Sequence, residues 1–505
     1  MRVALISPYL DIYSTGMRTI SSCLRKAGHE TRQIFLPSAS ENFERTYPEQ
    51  IANDVLDLCK DVDVVGFSLM SNHFSKSAAL SRDVHEKLGK KVLWGGIHCT
   101  VRPEESIEHA DYVCLGEGDD ATVELIDMLA AGKEPTGIQN LWIRRGSEIE
   151  KNPIRPTITD LDRLPHPDYS LVEHYILNEG RVVPMTHELQ EKFLVYKYMA
   201  SCSRGCILNC SFCCHNAYRK IYGTGSNTRR RSVEHVMQEL DYVRANMPYI
   251  RYLVFDDDSF MDASIEYIQD FSKQYKERIG MPFMVTGFIP VTVTEDKTAA
   301  LVDAGLFNIR MGIQSGAQNT KRIYRRNIAD SVIVRAATIF DKFRSNIRLP
   351  VYDMILDNPW ETDDDRVETM QLLQKLPRPF RIIFYSLTFF PGTDLYTRAK
   401  EEGIIQDDIR DIYQKDYLRV NRTYMNGLAY LFGAYRIPKP IEKLLLSPAI
   451  VKRKPDFLFY PLWFLGRPVY LALQGLRDIF GGNFIRVHRY LRVLLRNFQV
   501  RTAEA

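Results

Sequence analysis

The stretch that decides the fold is residues 201–216, SCSRGCILNCSFCCHN. It places Cys206, Cys210 and Cys213 in a C-x3-C-x2-C array directly after a predicted strand over 193–200. Three thiols this close favour a metal centre, because a free cysteine in a protein core is usually an isolated small apolar residue. No second C-x2-C or H-x3-H completes a four-ligand zinc site. A [4Fe–4S] cluster normally has four cysteine ligands, so three leave one iron open for a substrate or cofactor.

Composition sets outer limits on the class of protein. The chain has 505 residues, 45% apolar and 26% charged, which predicts two to four globular domains. A net charge of +3 gives no global field for nucleic acid. Nine cysteines in this length are not a disulfide framework, and the N-terminus reads as a strand rather than a signal peptide. We therefore expect a reducing, cytoplasmic location.

The N-terminal part, residues 1–139, is predicted to be a flavodoxin-like, doubly wound α/β domain. Predicted strands alternate with predicted helices, which implies parallel βαβ units covered on both faces. The strands are predicted over 2–7, 30–35, 62–69, 91–95 and 111–115, and the helices over 16–27, 48–60, 75–88, 103–109 and 121–131. Ligands of such sheets lie beyond the carboxyl ends of the strands.

The loops at those strand ends are rich in glycine, which allows a bulky ligand to approach the backbone. Together they resemble the pattern of cobalamin-binding domains, D-x-H-x-x-G, then S-x-L, then G-G. The resemblance implies that the cobalamin contacts are Tyr13, Gly16, Ser68, Gly95, Gly96, His98, Gly116 and Glu117. Tyr13 occupies the place of the family's cobalt-ligating histidine, which implies a cobalt without a histidine ligand. The alternatives are an empty, structural loop set and a His98 that is bonded to water or backbone.

Residues 140–190 are predicted to be a linker that contains a small hairpin about Gly146. Its Pro-rich stretch, DLDRLPHPDY over 160–169, favours an extended strap, with a flexible linker as the alternative.

Residues 191–400 repeat the strand–helix pattern six times, which predicts a partial, TIM-like (βα)6 barrel. After 193–200, strands are predicted over 251–255, 283–288, 307–313, 348–356 and 381–388. The intervening helices are predicted over 232–246, 264–278, 294–304, 331–343 and 364–376. Polar clusters follow the strands, at the end where such barrels form active sites.

The cysteine array and the strand ends over 193–400 resemble the radical S-adenosylmethionine (SAM) superfamily, where the open iron binds SAM. The resemblance implies SAM contacts at Phe212, Asp256, Asp257, Gln314 and Ser315, and it matches the stretch DMILDNPWET over 353–362 to a family loop. Asp256 and Asp257 replace the family's Gly-Gly-Glu element. The alternative for each element taken alone is ordinary loop polarity. The basic run over 223–231 is typical of a solvated face, with a phosphate site as the alternative.

Residues 401–505 are predicted to be mainly helical, over 419–433, 441–446, 469–480 and 485–498, with a dense aromatic stretch over 457–465. No stretch reaches about 18 uninterrupted apolar residues, which argues against a transmembrane helix. Two interpretations remain: a cap over the barrel, or basic interfacial helices on the inner membrane face.

The combined resemblance is to cobalamin-dependent radical SAM enzymes. It implies three cofactors, a [4Fe–4S] cluster, SAM and cobalamin, with flavodoxin or ferredoxin as electron donor. In this family SAM is cleaved to a 5′-deoxyadenosyl radical that activates a carbon, and methylcobalamin donates the methyl group. We therefore predict a C-methyltransferase for a small-molecule or lipid-like substrate. The alternatives are an anaerobic oxidative cyclase of a porphyrin ester and a non-catalytic cobalamin-binding protein.

Overall fold

The computed structural model describes residues 1–37, 46–223, 227–347 and 349–480. The chain divides into two compact units. The first comprises Met1–Phe288, Asp296–Phe307 and Thr388–Asp416. The second comprises Ile289–Glu295, Asn308–Leu387 and Tyr417–Ala505.

The first unit begins with a nine-stranded sheet in the order β7-β6-β5-β4-β3-β1-β2-β8-β9. Its strands are β1 (Arg2–Ser7), β2 (Glu30–Phe35), β3 (Val64–Ser68), β4 (Lys91–Gly95), β5 (Tyr112–Cys114), β6 (Leu141–Arg145), β7 (Glu148–Lys151), β8 (His174–Asn178) and β9 (Arg181–Pro184). Its helices are α1 (Thr15–Lys26), α2 (Glu49–Cys59), α3 (Phe74–Asp83), α4 (Ile97–Val101), α5 (Pro103–Ile107) and α6 (Asp119–Ala130). The first five strands pair in parallel, which confirms the doubly wound prediction.

Residues 140–190 contribute the four strands β6 to β9 to this sheet, whereas the sequence predicted a linker with one small hairpin. The hairpin β6–β7 pairs antiparallel with β5, and the hairpin β8–β9 joins β2 through a parallel pairing. The hairpin about Gly146 was predicted. The second hairpin was not, because strands of four or five residues carry too little alternation to stand out.

The proline-rich strap of residues 160–169 is fixed to α1 by a buried arginine. Arg18 is fully buried, and its guanidinium donates to the carbonyls of Ile12, Tyr13 and Asp168. Its charge lies 3.9 Å from the ring centroid of Tyr169. The strap is therefore an ordered part of the unit.

The cysteine array lies in the remainder of the first unit. Three parallel strands pair in the order β10 (Lys197–Ala200), β13 (Tyr252–Phe255) and β14 (Phe283–Phe288), and β11 (Ser203–Arg204) pairs antiparallel with β12 (Arg229–Arg230). The helices are α7 (His187–Leu194), α8 (Cys214–Tyr222), α9 (Val233–Asn246), α10 (Ile265–Arg278) and α11 (Glu295–Asp303). The predicted strand over 193–200 begins later than expected, because α7, capped by Thr186, continues through Leu194.

Three more parallel strands follow, β15 (Leu306–Gln314), β16 (Val351–Leu356) and β17 (Arg381–Ser386), and all but the first two residues of β15 belong to the second unit. Its helices here are α12 (Gln318–Ile323), α13 (Asp330–Lys342) and α14 (Asp363–Lys375), and α15 (Asp394–Glu401) follows in the first unit. The six predicted strand–helix repeats are thus all present along the chain.

The C-terminal part of the second unit is helical, as predicted. Its helices are α16 (Tyr424–Ala434), α17 (Lys439–Leu445), α18 (Pro448–Val451), α19 (Phe459–Phe464) and α20 (Tyr470–Phe480). The predicted helix over 485–498 lies outside the described residues. Among those that are described, no helix has both the length and the apolar character needed to cross a membrane.

Candidate functional site

The cysteine loop begins where β10 ends and closes at the start of α8. Cys206 and Cys210 are buried, and Cys213 is the N-cap residue of α8. The amide of Leu208 donates to the Cys206 sulfur at 3.5 Å. The hydrogen bond to the Cys206 sulfur and the helix N-terminus beside Cys213 both stabilise negative charge on these sulfur atoms.

Burial raises the pKa of the Cys206 thiol to about 12, and a bound iron would stabilise the thiolate form that ligation needs. Among the described residues, no three His, Cys, Asp or Glu side chains converge closely enough to hold a single metal ion. Three cysteines that each bind a different iron of a cluster stand farther apart than three ligands of one ion. Three cysteine thiols at this spacing are a donor set that fits a [4Fe–4S] cluster with one iron left open.

The basic run behind the loop is a brace, which corrects both sequence interpretations of it. The side chains of Arg229, Arg230 and Arg231 are only 14%, 16% and 12% exposed. Arg230 pairs with Asp262, and Arg231 lies 2.6 Å from Glu239. Arg231 also donates to the Ser201 carbonyl at 3.0 Å, so the run holds the start of the cysteine loop.

Glu117 fastens this brace to the N-terminal sheet. Its carboxylate lies 2.9 Å from Arg229 Nη1 and 3.2 Å from Arg204 Nη1, and it accepts from the Ile158 amide at 2.7 Å. Asp119 accepts two further bonds from Arg204, at 2.8 and 3.1 Å. Arg204 and Arg229 are directly opposed in the β11–β12 pair, where like charges repel unless anions offset them. The two carboxylates supply that compensation.

A cavity of about 410 Å³ lies beside this clamp, within the first unit. Six of the eight predicted cobalamin contacts line it, namely Gly16, Ser68, Gly95, Gly96, Gly116 and Glu117. Two of its glycines have no room for a side chain. A Cβ on Gly96 (φ +105°) would lie 2.6 Å from the Leu69 carbonyl oxygen, and one on Gly116 (φ +70°) would lie 1.5 Å from the Tyr222 hydroxyl. The backbone therefore forms the wall, as a close-fitting ligand requires.

Tyr13 and His98 do not line the cavity, contrary to the sequence interpretation. The Tyr13 hydroxyl donates to the Leu194 carbonyl at 2.9 Å. His98 is fully buried, with Nδ1 3.1 Å from the Ser71 hydroxyl and its ring packed against Phe74 and Tyr413. Burial lowers the pKa of His98 to about 3, which keeps the ring neutral. The loop pattern carried no information on which way these two side chains turn.

One face of α8 forms the opposite wall, which sequence reasoning missed. His215, Tyr218 and Tyr222 line the cavity at positions i, i+3 and i+7 of the helix. The Glu117 amide donates to the Tyr222 hydroxyl at 3.2 Å. The i, i+3, i+7 spacing of these residues after the third cysteine is the sequence signal that could have identified this face.

The three aspartates after β13 have different roles. Asp256 and Asp258 line the cavity, and Asp258 lies 2.9 Å from His215 Nε2. Asp257 is buried, accepts from the Cys202 amide at 3.1 Å and from the Ser203 hydroxyl, and lies outside the lining. Burial raises the pKa of Asp257 to about 6. Asp257 thus supports the loop, and Asp258 replaces it as a side chain available to a ligand.

The predicted SAM contacts in the second unit also differ from one another. Ser315 is buried, and its hydroxyl lies 3.2 Å from that of Thr369 and accepts from the Ala317 amide. It therefore supports the turn after β15. Gln314 is partly exposed at the strand end, with a φ of +72°, and remains the candidate contact. Phe212, between the second and third cysteines, is partly exposed.

The loop after β16 contains a carboxyl group that is largely removed from water. Glu361 accepts from the Thr320 hydroxyl at 2.8 Å. Burial raises its pKa from 4.5 to about 7.

Comparison with known protein families gives two matches. Residues 1–126 match the model of the B12 binding domain, and residues 200–373 match that of the radical SAM superfamily. The chain is a radical SAM protein with a B12-binding domain. These matches confirm the predicted fold and the predicted cofactors: cobalamin, SAM and a [4Fe–4S] cluster.

This radical SAM protein is similar to two curated proteins. An uncharacterised methyltransferase of Pyrococcus horikoshii is 26% identical over 352 residues, covering 68% of this chain and 71% of the relative. The bacteriochlorophyllide d C-8(2)-methyltransferase of Chlorobaculum tepidum is 25% identical over 388 residues, covering 75% of this chain and 78% of the relative.

Solved structures share the fold of this radical SAM protein. The methyltransferase TsrM of Kitasatospora setae, with tryptophan and a SAM analogue bound, superposes with a TM-score of 0.63 at 14% identity, covering 79% of this chain and 76% of that one. The enzyme OxsB, with aqua-cobalamin and SAM bound, superposes with a TM-score of 0.64 at 16% identity, covering 97% of this chain and 75% of that one.

We predict that Glu117→Gln loosens the cysteine loop, because Arg229 then loses the carboxylate with which it pairs and Arg204 keeps only that of Asp119. The expected loss is about 2 kcal/mol of local stability. Hydrogen exchange of the amides in β11 and β12 should quicken. Glu124→Gln is the control, since Glu124 lies on α6 and is 50% exposed in its pair with Arg155. Equal protection in both variants would contradict the clamp.

We predict that Glu361 makes stability depend on pH. Between pH 4.5 and 7 the folded state keeps this carboxyl protonated while the unfolded chain ionises it, so stability falls as pH rises through that window. Glu361→Gln should remove up to about 3 kcal/mol of this loss by pH 8. Urea denaturation at several pH values measures it, with Asp364→Asn as an exposed control on α14. Parallel stability–pH curves for wild type and Glu361→Gln would refute the prediction.

Proposed function

We propose that this protein is a cobalamin-dependent radical SAM methyltransferase that methylates an unactivated carbon of a small-molecule or lipid-like substrate. The observation that carries the proposal is the cavity with two kinds of wall. Strand-end loops of the N-terminal sheet form one wall, and the helix that starts at Cys213 forms the other. Bound there, the cluster with SAM supplies radical activation of carbon, and cobalamin supplies the methyl group.

The residues have distinct parts in this proposal. Cys206, Cys210 and Cys213 hold the cluster and leave one iron for SAM. Gly96 and Gly116 let cobalamin approach the backbone. Asp256, as predicted, and Asp258, in place of Asp257, are the cavity-lining carboxylates that would bind the amino group of SAM.

Exclusion of water is the protein's other contribution, because a reactive carbon centre is quenched by side reactions in an open site. Tyr218 and Tyr222 place two aromatic rings along the cavity wall, 6.2 Å apart. An electron donor such as flavodoxin or ferredoxin belongs to the same proposal.

The decisive experiment follows the methyl label. Protein reconstituted anaerobically with iron, sulfide and cobalamin receives methyl-deuterated SAM and a pool of candidate substrates that includes tetrapyrroles and tryptophan. We expect 5′-deoxyadenosine together with a product that carries the deuterated methyl group. Cys206→Ala should abolish the 5′-deoxyadenosine, the labelled product and the cluster absorbance. Cys214→Ala should keep all three, because Cys214 lies outside the array.

Two results would decide for the alternatives. Formation of 5′-deoxyadenosine without methyl transfer, together with a product that has fewer hydrogen atoms than its substrate, would identify an oxidative cyclase. A reconstituted wild type with the spectrum of Cys206→Ala would identify a non-catalytic cobalamin-binding protein.

A matched glycine pair tests the cobalamin contacts. Gly116→Ala should weaken cobalamin binding at least about tenfold, because its new Cβ overlaps the Tyr222 hydroxyl at the cavity wall. Gly132→Ala is the control, since its φ of +66° is similar and no atom lies within 4 Å of its Cβ. Both carry the same backbone strain. Titration by absorbance measures the affinities, and equal affinities would place cobalamin elsewhere.

A further inference from the structure

The C-terminal helices of the second unit form a nearly continuous helical segment over 456–480. A 3-10 turn (Asp456–Leu458) leads into α19, and a π turn (Leu465–Val469) joins α19 to α20. Its inner side is fixed to the unit. A Cβ on Gly466 would lie 2.3 Å from the Tyr430 carbonyl carbon, and the Tyr470 hydroxyl donates to the Phe380 carbonyl at 2.5 Å.

The opposite side of this segment presents large apolar side chains to water. Phe457 is 79% exposed and Phe464 is 55% exposed. Tyr460, Leu473 and Leu476 are more than half exposed in the same way. Large apolar side chains that cluster in water mark an interaction surface. We call these five residues the apolar face.

The part of the chain that carries this face is rich in exposed cations and poor in anions. The exposed basic residues of 436–476 are Arg436, Lys439, Lys443, Lys452, Arg453, Lys454 and Arg467. In that range the acidic residues are Glu442, which is buried against Lys439, and Asp456, which accepts from the Tyr424 amide. The part of the chain that carries the apolar face therefore also carries these seven exposed cations, which we call the basic rim.

We propose that the apolar face binds the surface of a membrane that contains anionic lipids. Aromatic rings on one side of a helix, with lysine and arginine beside them, suit the boundary between headgroups and acyl chains. Each cation near such a surface strengthens binding through the negative potential of the lipid.

Charge argues against a second copy of the chain as the occupant. A two-fold interface places the same patch on both partners, so the basic rim would face another basic rim. Anionic headgroups complement that rim instead. The proposal concerns a surface of the second unit and does not depend on the reaction that the protein catalyses.

Vesicle flotation with the full-length protein tests it. We expect binding to phosphatidylcholine vesicles that contain phosphatidylglycerol, and at least tenfold weaker binding to phosphatidylcholine alone or in high salt. The double variant Phe457→Ser/Phe464→Ser and the triple variant Lys452→Gln/Arg453→Gln/Lys454→Gln should each lower binding at least tenfold. These side chains are exposed, so circular dichroism should show an unchanged fold.

Matched controls have exposed residues of the same kinds elsewhere. Val172→Ser removes an apolar side chain that is exposed in the first unit. Lys26→Gln/Lys133→Gln/Lys273→Gln removes three exposed cations there. Both should bind as the wild type does.

Three outcomes overturn the proposal. One is a wild type that floats with neither kind of vesicle. Another is vesicle binding that both the Phe457→Ser/Phe464→Ser variant and the triple-cation variant keep, since membrane binding would then depend on other residues. The third is a wild-type dimer, seen by light scattering, that Phe457→Ser/Phe464→Ser converts to a monomer, since the face would then be an interface between copies.

Discussion

The buried ion pairs around Glu117 are the constraint on which the candidate site depends. A cysteine loop by itself has no regular structure, and its ligands must keep their positions when a cluster is bound. Arg204 lies inside that loop, and Arg229 pairs with it from β12. Arg204 forms ion pairs with Glu117 and Asp119, and Arg229 forms one with Glu117, where the chain passes from β5 into α6. Removing Glu117 leaves the partly buried charge of Arg229 without its counter-ion, which costs more than a surface pair is worth. The geometry of the cysteines is thus fixed by residues outside their own loop.

The architecture could be predicted from the sequence because its signals are local. The strands Arg2–Ser7 and Lys91–Gly95 are short, mainly apolar runs bounded by turn residues, and α9 and α10 start at the serine caps Ser232 and Ser264. The glycines at the strand ends were predicted for the same reason, since their conformation is a property of the turn itself.

Side-chain direction and long-range pairing could not be predicted. Asp256, Asp257 and Asp258 are three consecutive residues of the same type. Asp257 is buried and accepts from the Cys202 amide, whereas Asp256 and Asp258 face the cavity. The basic run appeared solvated because Asp262, Glu239 and Glu117 lie at sequence distances that no local pattern connects. Tyr13 occupies the expected position in its motif, but its hydroxyl bonds to a carbonyl 181 residues away.

The hairpins at the two ends of the nine-stranded sheet also affect association between molecules. Each outermost strand, β7 and β9, is only four residues long. β7 alternates glutamates with Ile149 and ends in Lys151, while β9 starts with Arg181 and ends in Pro184, which has no amide hydrogen to donate. Short strands with charge and proline are poor templates for another strand. The parallel core of the sheet, with its continuous apolar strands, is thereby protected from edge-to-edge aggregation.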